Sequence, residues 1–258
     1  MWYYRSKKDD KEVIDKLSGL AAALPTRGFD EYYKRIRREG LQWNRKRVLR
    51  VYRSMKLKFR RKHKKRMISR VKQALEVPLH LNECWSMDFM ADTLSDGRKV
   101  RILNVMDDGN REALAVDPAL NYPARKVVET LEQLEEEICL PKTIRCDNGP
   151  EFLSKTFNQW CKRKRIEIKF IQPGKPMQNG SIERLNRFQR EDVLDAYWFN
   201  DLYQLKSLSN KWKIDYNNNH PHQSLGDKSP KEFLARSIDD FNEKPESFNQ
   251  KILNLELS

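Results

Sequence analysis

From residue 83 onward the apolar residues repeat at every second position, and that period decides the architecture. Residues 83–91 (ECWSMDFMA) and 98–106 (RKVRILNVM) read as strands joined through an Asp96-Gly97 turn, and 112–117 (EALAVD) as a third. The period then lengthens. Val127, Leu131, Leu134 and Ile138 fall at helical spacing over 123–139. Residues 143–147 (TIRCD) form a short strand, 154–164 a helix, and 166–171 (IEIKFI) a fifth strand. After a Pro- and Gly-containing loop, Gln172–Met177, a long helix starts near Gln178 and runs past Leu194, and 201–216 forms another. A three-strand meander followed by crossovers predicts an α/β fold, a mixed five-stranded sheet flanked by helices.

The segment before this body differs in kind. Residues 1–80 hold 25 Lys and Arg against 8 Asp and Glu, whereas 81–258 hold 26 against 29. The whole net charge of +14 therefore sits in the N-terminal third, which suggests an arm that binds a polyanion. Three helices are expected there. The first spans 9–24, capped by Asp9 and Asp10, with Val13, Ile14, Leu17, Leu20, Ala21 and Leu24 inward. The second spans 30–39, with Tyr33 and Ile36 inward and Gly40 as a stop. The third is capped by Asn44, with Val48, Leu49, Tyr52 and Met55 inward and Arg45, Lys46, Arg47, Arg50 and Arg53 outward. This fits a small all-α helix-turn-helix-like module, or a helical bundle with a solvated basic face. In Lys56–Arg66 eight of eleven residues are basic, among them Arg60, Arg61, Lys62, Lys64, Lys65 and Arg66. Phosphate backbone would neutralise such a run, although a solubilising linker has the same composition. The expected organisation is a helical module over 1–56, a basic linker over 57–80, a body over 81–236 with a C-terminal helical extension, and a tail over 237–258.

Three acids stand out by placement. Asp88 lies mid-strand, Asp147 ends a short strand before Asn148-Gly149, and Glu183 sits early on the long helix, with 35 residues between the last two. Clustered carboxylates repel unless a cation lies among them, and hard oxygen ligands suit Mg²⁺ or Mn²⁺. Taken singly, each acid could equally be an unrelated strand end or helix face. The cysteines, Cys84, Cys139, Cys146 and Cys161, form no CxxC pair and read as reduced, mostly buried thiols.

Four ordered blocks now carry a resemblance: Trp85–Phe89 (WSMDF), Arg145–Phe152 (RCDNGPEF), Gly174–Glu183 (GKPMQNGSIE) and Tyr216–Leu225 (YNNNHPHQSL). They resemble the catalytic region of DDE transposases and retroviral-type integrases, and above all the OrfB transposase of the IS-three family of insertion sequences. The resemblance implies an RNase H-like fold, with Asp88, Asp147 and Glu183 as a catalytic triad holding two Mg²⁺ or Mn²⁺ ions. It implies 3′-end nicking and strand transfer on DNA, both element ends and target, by a homo-oligomer. An upstream-frame (OrfA) product is a further possible partner, and no membrane is involved. A bacterial, nucleoid-associated cytoplasmic location follows.

Lys175, Gln178, Asn179, Arg187 and Arg190 become expected DNA contacts, although an i,i+4 salt bridge from Glu183 to Arg187 is the simpler use of that pair. The sequence departs from the family where Asp107-Asp108 is followed by Gly109-Asn110, and where His220 precedes Pro221. An RNase H-like nuclease without joining activity, or an inactive DNA-binding relic, are the alternative readings.

Overall fold

The computed structural model describes residues 9–57, 80–172 and 179–235. The chain divides into two compact units, Met1–Lys72 and Gln73–Ser258. The basic run from Lys58, the loop 173–178 and the tail from 236 lie outside the described residues.

In the first unit, α1 (Lys11–Ala23), α2 (Phe29–Arg38) and α3 (Arg45–Ser54) enclose Val13, Leu17, Tyr32, Ile36, Val48, Val51 and Tyr52. Each helix contributes side chains three or four residues apart, the spacing that keeps them on one face. Tyr32 pairs with Ile36 in this way. Tyr33, expected inward, is turned by one residue and only half-buried, and Ile14 is exposed. Val51 rather than Leu49 completes the core of α3. The Asn44 side chain accepts from Lys46 N at 2.8 Å and caps α3 as expected. Asp10 does not use its carboxylate as a cap. It accepts instead from Arg47 Nε at 3.0 Å and Arg50 Nη2 at 2.6 Å, tying α1 to α3. Six residues separate α2 from α3, more than the three or four of a tight helix-turn-helix.

The second unit is built on a sheet of order β3-β2-β1-β4-β5. β1 (Cys84–Thr93), β2 (Lys99–Asp107) and β3 (Ala113–Ala119) form the antiparallel meander, and β4 (Thr143–Cys146) and β5 (Glu167–Phe170) add in parallel beyond β1. Strand alternation sorts the side chains. Trp85, Met87, Ile144 and Cys146 face α4 (Ala124–Glu137) and α6 (Lys155–Lys164) in one core. Met90, Ile102 and Met106 face α7 (Gly180–Gln189) and α8 (Leu202–Asn219) in the other.

Two elements differ from expectation. A single turn, α5 (Pro150–Leu153), intervenes directly after Gly149. The long helix becomes a π turn over Arg190–Leu194, closed by Asp195 N–H to Arg190 O at 2.8 Å. Cys84, Cys146 and Cys161 are buried and Cys139 is exposed. Among the described residues no helix is long and apolar enough to cross a membrane.

Candidate active site

Asp88 lies on central β1, on the α7 side of the sheet, because it is two residues from Met90 and out of phase with Met87. Its Oδ1 accepts from the Phe89 amide at 2.8 Å and its Oδ2 from Asn186 Nδ2 at 2.8 Å. Asp147 follows the last residue of the neighbouring parallel strand β4 and is exposed, with Oδ1 accepting from Gly149 N at 3.0 Å. Glu183 is exposed in the first turn of α7. The three come from three elements. Burial first, then the charges of Asp147 and Glu183, push the Asp88 carboxyl up to about 6, against the opposing hydrogen bonds from Phe89 and Asn186. Among the described residues no group of three His, Cys, Asp or Glu is drawn together closely enough to hold a metal ion. The chemistry of the donors nevertheless fits a hard divalent cation, since three carboxylates offer hard oxygen ligands.

A buried amide network supports Asp88. Asn104, its cross-strand partner on β2, donates from Nδ2 to Asn186 Oδ1 and Gln189 Oε1, each at 2.7 Å. Asn186 and Gln189 were not singled out in the sequence. Asn186 lies three residues after Glu183, hence on the same face of α7, and this spacing is the signal that could have found it. On the other side of the sheet, Arg101 bonds Glu151 of α5 and stacks over the Phe89 ring at 4.1 Å, fixing the turn that follows Asp147.

The expected DNA contacts divide. Lys175, Gln178, Arg60, Arg61, Lys62, Lys64, Lys65 and Arg66 lie outside the described residues. Asn179 is a correction. It is 3 % exposed, with Nδ2 near Met87 O at 3.5 Å, so it packs under the start of α7 instead of facing outward. Arg187 is exposed and lies near Glu191 at 3.9 Å, not against Glu183. Arg190 donates from Nη2 to Ala91 O at 2.9 Å, which anchors the end of α7 to β1. In the helical unit Arg45 pairs with Asp30 at 2.7 Å, while Arg47 and Arg50 share Asp10. Lys46 is exposed.

The departure at Asp107–Asn110 is built into the structure. A Cβ on Gly109 would stand 2.5 Å from His80 O, so the turn admits only glycine. Asp107 Oδ2 accepts from Asn82 N at 2.8 Å and its Oδ1 from Gly109 N at 2.8 Å. His220 is buried, stacked on Tyr216 with ring centroids 5.2 Å apart.

Sheet order and helix placement define an RNase H-like integrase core. Residues 78–176 and 164–230 match two family models, both described as integrase core domain. The chain is 35% identical over 236 residues to an uncharacterized 31.7 kDa protein of insertion element IS407 from Burkholderia multivorans, covering 91% of this chain and 85% of that one. It is 25% identical over 247 residues to the transposase InsD of insertion element IS2D from Escherichia coli strain K12, covering 88% and 80%. A chain of the simian T-cell lymphotropic virus intasome shares the fold at TM-score 0.52 and 15% identity, over 74% of this chain and 67% of that one. The chain belongs to the integrase core domain family of insertion-element transposases and is an enzyme of the DDE type.

Proposed function

We propose that Asp88, Asp147 and Glu183 hold one or two Mg²⁺ or Mn²⁺ ions and that the chain nicks DNA at its element's ends and joins them to a target. What supports this reading is the order of elements: Asp88 lies on β1, Asp147 just after the parallel neighbour β4, and Glu183 in the first turn of α7, which packs on β1 through the Asn186–Asp88 hydrogen bond. Divalent ions in such a site make a water or a 3′-hydroxyl a better nucleophile and offset charge on the leaving oxygen.

The chain's own residues orient this chemistry. Asn186 and the Phe89 amide hold the Asp88 carboxylate toward α7. The Gly149 amide fixes one oxygen of Asp147. In the nick, water attacks phosphorus and the P–O3′ bond breaks, leaving a 3′-hydroxyl and a 5′-phosphate. In the transfer, that hydroxyl attacks a target phosphodiester and displaces its 3′-oxygen, so the number of phosphodiester bonds is conserved. Neither step needs a covalent protein–DNA bond, and therefore no Ser or Tyr nucleophile is assigned.

The DNA contacts belong to the same proposal: Lys46 and the guanidinium groups of α3, the 57–80 linker, Lys175, Gln178 and Arg187. So do a homo-oligomer on DNA, an upstream-frame partner and a place on the nucleoid of the bacterial cytoplasm. Asp147→Asn tests the core of it. This variant should lose strand joining in Mg²⁺ while binding DNA nearly as well as the parent. Undiminished joining by it would overturn the assignment.

A further inference from the structure

One buried carboxylate outside the proposed triad touches two of the elements that carry it and reaches the third through an arginine. Asp108 is 1% exposed, at the end of β2, with its amide bonded to Cys84 O at 3.0 Å. Its Oδ2 accepts from Ser86 Oγ at 2.7 Å and from Arg145 Nη1 at 2.8 Å. Its Oδ1 faces Arg111 Nη1 at 3.5 Å, and the same Arg111 nitrogen donates to Ser181 Oγ. Ser86 is two residues before Asp88, Arg145 two before Asp147, and Ser181 two before Glu183. On β1 a spacing of two puts the pair on one face, and Asp147 follows the end of β4 two residues after Arg145. On α7 it puts Ser181 in the same first turn as Glu183.

We infer that Asp108, acting through Ser86, Arg145 and Arg111, is a positioning residue that sets the three carboxylate-bearing segments against one another. The inference rests on the triad reading above. Three features set this arrangement apart from an ordinary buried ion pair. A single carboxylate serves three separate elements, and the third link runs through Arg111, whose φ of 64° is a conformation that L residues avoid. The turn that carries Asp108 is locked by the close approach of Gly109 to His80. Each link also ends two residues before one of the three acids. Partners that orient metal-binding side chains in this way usually matter by about 10–100-fold in affinity or rate.

Amide hydrogen exchange on the metal-free full chain, with Mn²⁺ binding by calorimetry, tests it. Asp108→Asn keeps the volume and removes the charge. It should speed exchange over residues 84–88, 143–147 and the α7 segment together, and weaken Mn²⁺ binding at least about tenfold. Ser181→Ala cuts only the last link and should speed exchange over α7 while leaving β4 unchanged. A folded Asp108→Asn protein with parental exchange and parental Mn²⁺ affinity overturns the inference. Should that variant not fold, Ser181→Ala decides, and unchanged exchange over α7 overturns it. An Asp147→Asn protein that still joins DNA would instead sink the catalytic reading and leave the exchange result standing.

Discussion

Asn186 donates to Asp88 across the gap between α7 and β1, at 2.8 Å, while its own carbonyl oxygen accepts from buried Asn104. The pair therefore aligns the carboxylate proposed to be catalytic and satisfies a core amide at the same time. Asn186→Ala should cost activity about 10–100-fold through a misplaced Asp88. It should also destabilise the body by about 1–3 kcal/mol, because one acceptor for Asn104 is lost. Strand-joining assays beside denaturant melts check both, and a variant with parental values in each would contradict the assigned role.

Gly109 and Gly149 should respond differently to the same added methyl. At Gly109 the obstacle is backbone, His80 O at 2.5 Å, which cannot move aside cheaply. Gly109→Ala should lower stability by about 1–3 kcal/mol, seen as a lower denaturant midpoint. At Gly149 the obstacle is Asp147 Oδ1 at 3.0 Å, the end of an exposed side chain. Gly149→Ala should therefore melt close to the parent yet lose activity, because the displaced group is a member of the proposed triad. A strongly destabilised but fully active Gly149→Ala protein would reverse this reading.

How much of this was legible beforehand depends on the range of the interaction. The alternation in 83–91 and 98–106 placed β1 and β2, and Asp88 was conspicuous as a charge between Met87 and Phe89. The spacing of the acids, with the resemblance, singled out the three acids proposed to hold metal. What stayed hidden needed strand register or long-range pairing. Asn104 becomes meaningful only when it stands opposite Asp88. Asp10 looked like a cap because its partners, Arg47 and Arg50, lie 37 and 40 residues away. Asn179 looked like part of an exposed loop because nothing local shows that Met87 lies beneath it. The π turn at Arg190 leaves the apolar period almost intact and so gives no warning.

Asp10 makes the helical unit acid-sensitive. Its hydrogen bonds from Arg50 and then Arg47 hold the carboxyl below its ordinary value of 3.8. A depressed native pKa contributes stability above the unfolded value, and that contribution is lost as pH falls through the native one. The α1–α3 pairing should therefore persist from neutral pH down to about 4 and weaken below it. Asp10→Asn should abolish this acid step while lowering stability at pH 7, followed by amide exchange over α1 and α3. An acid transition of equal size in the variant would assign the effect elsewhere.

The same ion pairs set an expectation for DNA. Arg47 and Arg50 are engaged by Asp10, and Arg45 by Asp30, whereas Lys46 is exposed on the same helix. If α3 faces phosphate, Asp10→Asn should tighten DNA binding, because two guanidinium groups are released from an internal carboxylate and the net charge rises by one. Lys46→Ala should weaken binding on all sequences alike and reduce the salt slope by about one. In the intact chain the logarithm of affinity should fall by about 0.9 per logarithm of salt for each phosphate neutralised. Titrations of duplex DNA over a range of salt concentrations distinguish these outcomes. An affinity unchanged by both substitutions would remove α3 from the interface and leave the 57–80 linker as the phosphate contact, whereas an affinity indifferent to salt would remove both.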